Sequence, residues 1–155
     1  MPYKVFISYS TKDLSLAAHI KNLLQNSGIK VFVAEYSLPA GSELTASILS
    51  EIQSCDLFLL LWSHNAKSSE WVPQEIGAAK ALKKPVIPIM LNKSGEAPGF
   101  LKGLKYLPLY KDPTKTLSWL RKHIAHKASE KNKNEGLAWL GISGVILWAL
   151  SQGKS

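Results

Sequence analysis

Trp71 and Glu75 stand four residues apart in Trp-Val-Pro-Gln-Glu. At helical spacing they share a face. An indole beside a carboxylate offers a stacking wall for an aromatic or cationic ring and draws water away from the acid. The plainer alternative is a helix with a half-buried Trp and a solvated Glu. Three polar clusters accompany the pair, each following an apolar run: Ser8 to Asp13 (with Tyr9, Ser10, Thr11 and Lys12), then Glu35, Tyr36 and the Pro39-Ala40-Gly41 loop, then Ser63, His64 and Asn65. Other chemistries lack their residues. The chain has no Gly-x-Ser-x-Gly elbow, no phosphate-loop motif and no Gly-x-Gly-x-x-Gly. His123 and His126 lie three apart on a basic segment, but no third ligand is evident, so no metal site is expected. His19 reads as a mid-helix residue that packs or faces solvent. Cys55 is the single cysteine, which rules out a disulfide framework and fits a reducing cytosol.

These residues need a scaffold, and the apolar patterning supplies one. Tyr3–Tyr9 and Ile29–Ala34 are rich in strand formers. Asp56–Trp62 is apolar almost throughout, the mark of a strand buried on both faces of a parallel sheet. Pro85–Leu91 reads as a fourth strand whose two prolines place it near a sheet edge, and a short fifth strand falls near Tyr106–Leu109. Helices are predicted between them. The first is capped by Thr11 or Asp13, carries Leu14, Ala17, Ile20 and Leu24 at helical spacing, and is ended by Gly28. The second runs from about Glu43 to Ser54. A third, from about Trp71 to Lys83, holds Pro73, which is tolerable only in a first turn. The last spans Pro113 to about Ala128. Five strands alternating with helices define an α/β fold, a doubly wound five-stranded parallel sheet with right-handed crossovers. Ligands of such sheets bind outside the carboxyl ends of the strands at the topological switch point. That rule selects the three polar clusters and the helix starting at Trp71.

Charge divides the chain unevenly. Residues 1–75 carry a net charge of −2, whereas residues 76–133 hold 13 cations against three carboxylates, a net +10. The basic half suits an anionic membrane surface or nucleic acid; a solvated lysine face is the plainer alternative. Arg121 is the single arginine among those 13 cations, which argues against specific nucleic-acid recognition. Residues 129–135 read as a polar linker closing a domain of residues 1–128, and 151–155 as a polar tail. Between them, residues 136–150 contain no charge and form an expected C-terminal apolar helix, about 22 Å long against roughly 30 Å of hydrocarbon. Trp139 and Trp148 suit an interface, and Lys127, Lys131 and Lys133 precede the segment, so membrane association with the domain on the cytoplasmic side is one expectation. Packing on the domain or on a second subunit is the other, with Ala138, Gly141 and Gly144 permitting close helix contact. No signal peptide is expected, since the first residues run straight into a strand.

Val5-Phe-Ile-Ser-Tyr-Ser10 with Lys12-Asp13 closely resembles box 1 of Toll/interleukin receptor (TIR) domains. Ser37-Leu-Pro-Ala-Gly-Ser-Glu43 is similar to their BB loop. Ser54 to Ser63 and Ser69 to Ala78 match the strand and helix of box 2 in bacterial style, and Pro85 to Leu91 the next strand. The resemblance covers residues 3 to about 126 with its blocks in order, and it implies a flavodoxin-like fold. It further implies an enzyme that cleaves NAD+ at the nicotinamide–ribose bond, as many prokaryotic, plant and neuronal members do, with NAD+ as substrate and no cofactor. Glu75 matches the family's catalytic glutamate and Trp71 the aromatic preceding it. By the same resemblance Ser8, Tyr9, Ser10, Lys12, Tyr36, Pro39, Ala40 and Gly41 position the dinucleotide. Where some members carry arginines after the first strand, this chain has Ser10 and Lys12. Self-association through TIR–TIR contacts, a product that is ADP-ribose or a cyclic isomer, and antiphage defence are implied as well. The rival readings are a non-catalytic TIR–TIR adaptor and a secreted mimic of host adaptors.

Overall fold

The computed structural model describes residues 1–34, 44–93, 99–101 and 103–139. Strands β1 (Tyr3–Ser8), β2 (Ile29–Val33), β3 (Leu57–Trp62), β4 (Val86–Met90) and β5 (Leu107–Pro108) form one parallel sheet in the order β2-β1-β3-β4-β5. This is the expected flavodoxin-like, doubly wound α/β arrangement, and its switch point lies between β1 and β3. The proline-bearing β4 sits one strand in from the edge, covered only by the two-residue β5.

The side-chain alternation of a strand decides which residues meet which helices. In β1, Tyr3, Val5 and Ile7 join a core with α1 (Leu14–Leu24) and α5 (Pro113–Trp139), built from residues such as Ile20, Leu24, Leu120 and Ile124. Phe6 points the other way, into a second core with α2 (Ala46–Ser54) and α4 (Trp71–Ala81), contributed by Ile48, Ile52, Val72 and Ile76. β3 divides likewise, with Leu57, Leu59 and Leu61 on the first side and Phe58, Leu60 and Trp62 on the second. Register pairs Phe6 with Phe58, and their rings stack at 5.3 Å with 8° between planes. A strand lined by core on both faces must be apolar throughout, which accounts for the composition of β3.

Several elements differ from the sequence reading: α1 ends at Leu24 with Gln25 as its C-cap, ahead of Gly28, and α2 starts at Ala46, where Thr45 Oγ1 accepts from the Ile48 N–H, rather than at Glu43. A four-residue helix, α3 (His64–Lys67), intervenes between β3 and α4, started by Ser63, whose Oγ accepts from the Ala66 N–H. The last helix does not stop near Ala128. It continues through Ser129–Glu135, so the segment read as a linker is helical. Those residues lack an apolar period, and ion pairs replace it. Lys131 Nζ lies 2.8 Å from Asp56 and 3.8 Å from Glu135, and Glu135 also meets the Met1 ammonium at 3.1 Å. The helix therefore stays clamped to the amino end of the sheet after its hydrophobic contacts end. The first residues of the expected apolar helix, Gly136–Trp139, belong to α5; the rest of 136–150 and the tail lie outside the described residues, and with them most of the segment on which the membrane expectation rests. Among the described residues no helix is long and apolar enough to cross a membrane.

Candidate active site

Ser8 ends β1 and has the same parity as Phe6, so its side chain faces α4. Glu75 lies on the inward face of α4 between Val72 and Ile76. The two meet: Ser8 Oγ donates to Glu75 Oε1 at 2.8 Å, and both residues have zero exposure. The carboxylate is thus a core-facing group rather than the solvated one that spacing alone permitted. Trp71, one turn earlier, is 7% exposed and borders the entrance. The first turn of α4 is fixed by Ser69, whose Oγ accepts from the N–H groups of Trp71 and Val72 at 3.2 and 3.3 Å. Pro73 falls at the third helical position, where its missing N–H costs nothing.

A cavity of about 340 Å³ opens at the carboxyl ends of β1 and β3, walled by Ser10, Lys12, Asn65, Ser69, Glu70 and Trp71, while Ser8 and Glu75 are buried and do not line it. Its two sides come from different loops, and one acid ties them. Asp13 accepts from Ser63 Oγ at 2.6 Å and from Asn65 Nδ2 at 3.2 Å. The sequence suggested Asp13 as a helix cap. It occupies that position but makes no capping bond with its side chain, while Ser10 Oγ accepts from Lys12 N at 3.3 Å and caps the preceding 3-10 turn. The cross-link to Ser63 and Asn65 had no signal in the sequence except that all three residues follow strands.

The other expected site residues are distributed as follows. Ser10, Lys12 and Trp71 line the cavity, whereas Ser8 and Glu75 are buried and do not line it. Tyr9 has the opposite parity to Ser8. It is 2% exposed in the α1/α5 core, and its hydroxyl donates to the Ala34 carbonyl, joining the ends of β1 and β2. Tyr36, Pro39, Ala40 and Gly41 lie outside the described residues. His64 opens α3, and its backbone N–H donates to Asn92 Oδ1 at 3.1 Å. His19 is exposed on α1. His123 stacks on Trp119, and its imidazole is held below the ordinary value by burial first, then by Lys127 and His126. His126 pairs instead with Glu130 at 3.1 Å. Among the described residues no three His, Cys, Asp or Glu gather as a metal site would require.

The TIR domain family model matches residues 5–123, which contain every one of these cavity-lining groups. The chain belongs to the TIR domain family. It is 31% identical over 114 residues to the Bacillus cereus (strain MSX-D12) protein named "probable 3' cyclic ADP-D-ribose synthase ThsB'", a match spanning 70% of this chain and 58% of that relative's length. Among solved structures, the TIR domain of a Toll-related receptor from Hydra magnipapillata aligns with a TM-score of 0.60 at 22% identity, covering 79% of this chain and 98% of that one. The Clostridium botulinum CMP N-glycosidase BcmB aligns at 0.58 with 21% identity, over 77% and 98% of the two chains. At those identities the likeness is one of fold.

Proposed function

We propose that this TIR domain cleaves NAD+ at the nicotinamide–ribose bond with Glu75 as its catalytic carboxylate. The observation that carries the reading is a glutamate with zero exposure, bonded to Ser8 at the end of β1 and one helical turn from Trp71, which walls the cavity. Burying a carboxylate costs several kcal/mol, so a helix that only needed to pack would place an apolar residue there. The similarity to a cyclic ADP-ribose synthase points to the same substrate.

In the proposed reaction the C1′–N bond breaks and its electron pair passes to the pyridinium ring, which leaves as neutral nicotinamide. No general acid is needed for that departure. Positive charge develops on the ribose, as in glycoside hydrolysis, and the Glu75 carboxylate stabilises it. The ribose hydroxyls take over the contact that Ser8 now makes with Glu75. Trp71 walls the nicotinamide side, and Ser10, Lys12 and the BB loop (Tyr36, Pro39, Ala40, Gly41) hold the rest of the dinucleotide. Water then captures the cation to give ADP-ribose and a proton, or a hydroxyl of the same molecule captures it to give a cyclic isomer. The sequence of the BB loop supports self-association as the activating step, one subunit's loop completing its neighbour's site.

The deciding experiment incubates concentrated protein with NAD+ and identifies products by mass. Nicotinamide with ADP-ribose or a cyclic isomer is expected. No nicotinamide release at any protein concentration would overturn the reading and leave a TIR–TIR interaction module. Specific activity should climb with concentration and be blunted by Gly41→Pro. A role in antiphage defence, implied by the family resemblance, requires that phage protection in cells be lost with Glu75→Gln.

A further inference from the structure

Helix α5 has two opposed faces. Thr116, Leu120, Ile124 and Ala128 are buried against the sheet, and Lys131 continues that side, its Nζ bonded to Asp56 and to the Pro2 carbonyl. On the opposite side Lys115, Trp119, Lys122, His126 and Lys133 recur at spacings of four, three, four and seven, which keeps them in one stripe along the axis. All five are exposed. Trp119 is 45% exposed, and its ring is backed by His123 at 4.7 Å, nearly parallel. The indole is thus presented outward between Lys115 and Lys122, backed by a stacked neighbour. Two acids border the stripe: Asp112, whose Oδ1 accepts from the Lys115 N–H at 3.0 Å, and Glu130, which His126 and Lys127 already engage.

We propose that this outer stripe of α5 lies flat on an anionic lipid bilayer, the lysines against headgroup phosphates and Trp119 at the boundary with the acyl chains. The stripe is straight and about 27 Å long at 1.5 Å per residue, matching a plane rather than a groove. Tryptophan favours the interfacial layer, and exposed lysines are attracted to anionic leaflets. Nucleic acid is the other polyanion to weigh. Against it, the face carries lysine rather than the bidentate arginine fork, and the chain beyond it runs uncharged through residues 136–150, with nothing to offer a phosphate backbone. The proposal does not depend on the enzymatic reading. It also changes which lysines matter: Lys131 is committed inward to Asp56 and Lys127 is shared with Glu130, leaving Lys115, Lys122 and Lys133 for the surface.

The test is co-sedimentation of the full chain with phosphatidylcholine vesicles and with vesicles containing 30% phosphatidylserine, alongside a filter-binding titration on duplex DNA. The full chain is expected to favour the anionic vesicles at least tenfold. Lys115→Glu with Lys122→Glu should cut that binding roughly tenfold or more, and Trp119→Ala should weaken it a few-fold with the salt dependence retained. Melting curves check that each variant is folded, and Lys115→Gln with Lys122→Gln serves if charge reversal unfolds the helix. Equal binding to neutral and anionic vesicles would overturn the proposal, as would unaltered binding by a folded lysine variant. Tighter retention on DNA than on anionic vesicles would overturn it in favour of nucleic acid.

Discussion

The two ends of the sheet each hold a carboxylate, and they treat it in opposite ways. At the amino end, Asp56 accepts from the Lys4 backbone N–H and from Lys131 Nζ, both at 2.8 Å, and keeps 27% of its side chain in contact with solvent. At the carboxyl end, Glu75 has zero exposure and receives the hydroxyl of Ser8. Asp56 is a fastener: opposite charge and water both compensate it, and its removal loosens what it joins. On the proposed function, Glu75 sits where desolvation raises the strength of its interaction with a developing positive charge. On that proposal, chemistry is kept at one end of the domain and mechanical closure at the other.

The largest effect should come from the carboxyl end. Glu75→Gln preserves shape and the contact with Ser8 but removes the charge, and NAD+ cleavage should fall at least a hundredfold with the melting curve nearly unchanged. A folded variant with full turnover would break the contrast. Ser8→Ala comes next: it removes the donor to a buried oxygen, which should cost about 1–3 kcal/mol of stability and lower activity about tenfold. Restoration of activity by Ser8→Thr would show that the hydroxyl, not the side-chain volume, is responsible. At the amino end, Asp56→Asn should leave activity per folded molecule intact and cost only about 1 kcal/mol, read from denaturant midpoints. Loss of activity without loss of stability there would erase the distinction between the ends.

A smaller effect sharpens the same comparison through pH. Burial lifts the Cys55 thiol from 9.0 to about 11 and the Tyr3 phenol from 10.0 to about 12, and the charge of Asp56 adds to both shifts. Both groups stay protonated in the folded chain while the unfolded chain ionises, so the unfolded state binds fewer protons above pH 9. Stability from these two groups is therefore complete below pH 9 and declines as pH rises through 9 to 12. Melting temperatures recorded across that range should fall, and Cys55→Ala should flatten the first part of the fall. The folded thiol should also resist alkylation at pH 8 until the chain is unfolded.

Much of this was legible before any coordinates. A continuous apolar run at Asp56–Trp62 announced a central strand, and the spacing of Trp71 and Glu75 placed both on one side of a helix at the right end of the sheet. What the sequence left undecided was whether Glu75 faced water, because that depends on how α4 rotates against β1. The parity of Ser8 with Phe6 settles it in three dimensions only. Ser129–Glu135 misled for a related reason. A polar run carries no helical period, and the partners that hold it helical, Asp56 and Met1, lie far away in the chain. Asp13 was read locally as a cap, whereas its partners Ser63 and Asn65 are some 50 residues on.

The contact between the Met1 ammonium and Glu135 has a consequence for how the gene could be rewritten. It brings the first residue within 3.1 Å of a side chain near the end of the described helix, so a short glycine-serine bridge from residue 136 would close the backbone into a ring. New termini fit the exposed turn between Leu82 and Lys83, on the far side of α4 from the cavity. In such a circular permutant β1 would no longer begin the chain but follow α5, its strand neighbours unchanged. Retention of the native melting behaviour by this rearranged chain would show that the order in which the elements are synthesised is incidental to the fold.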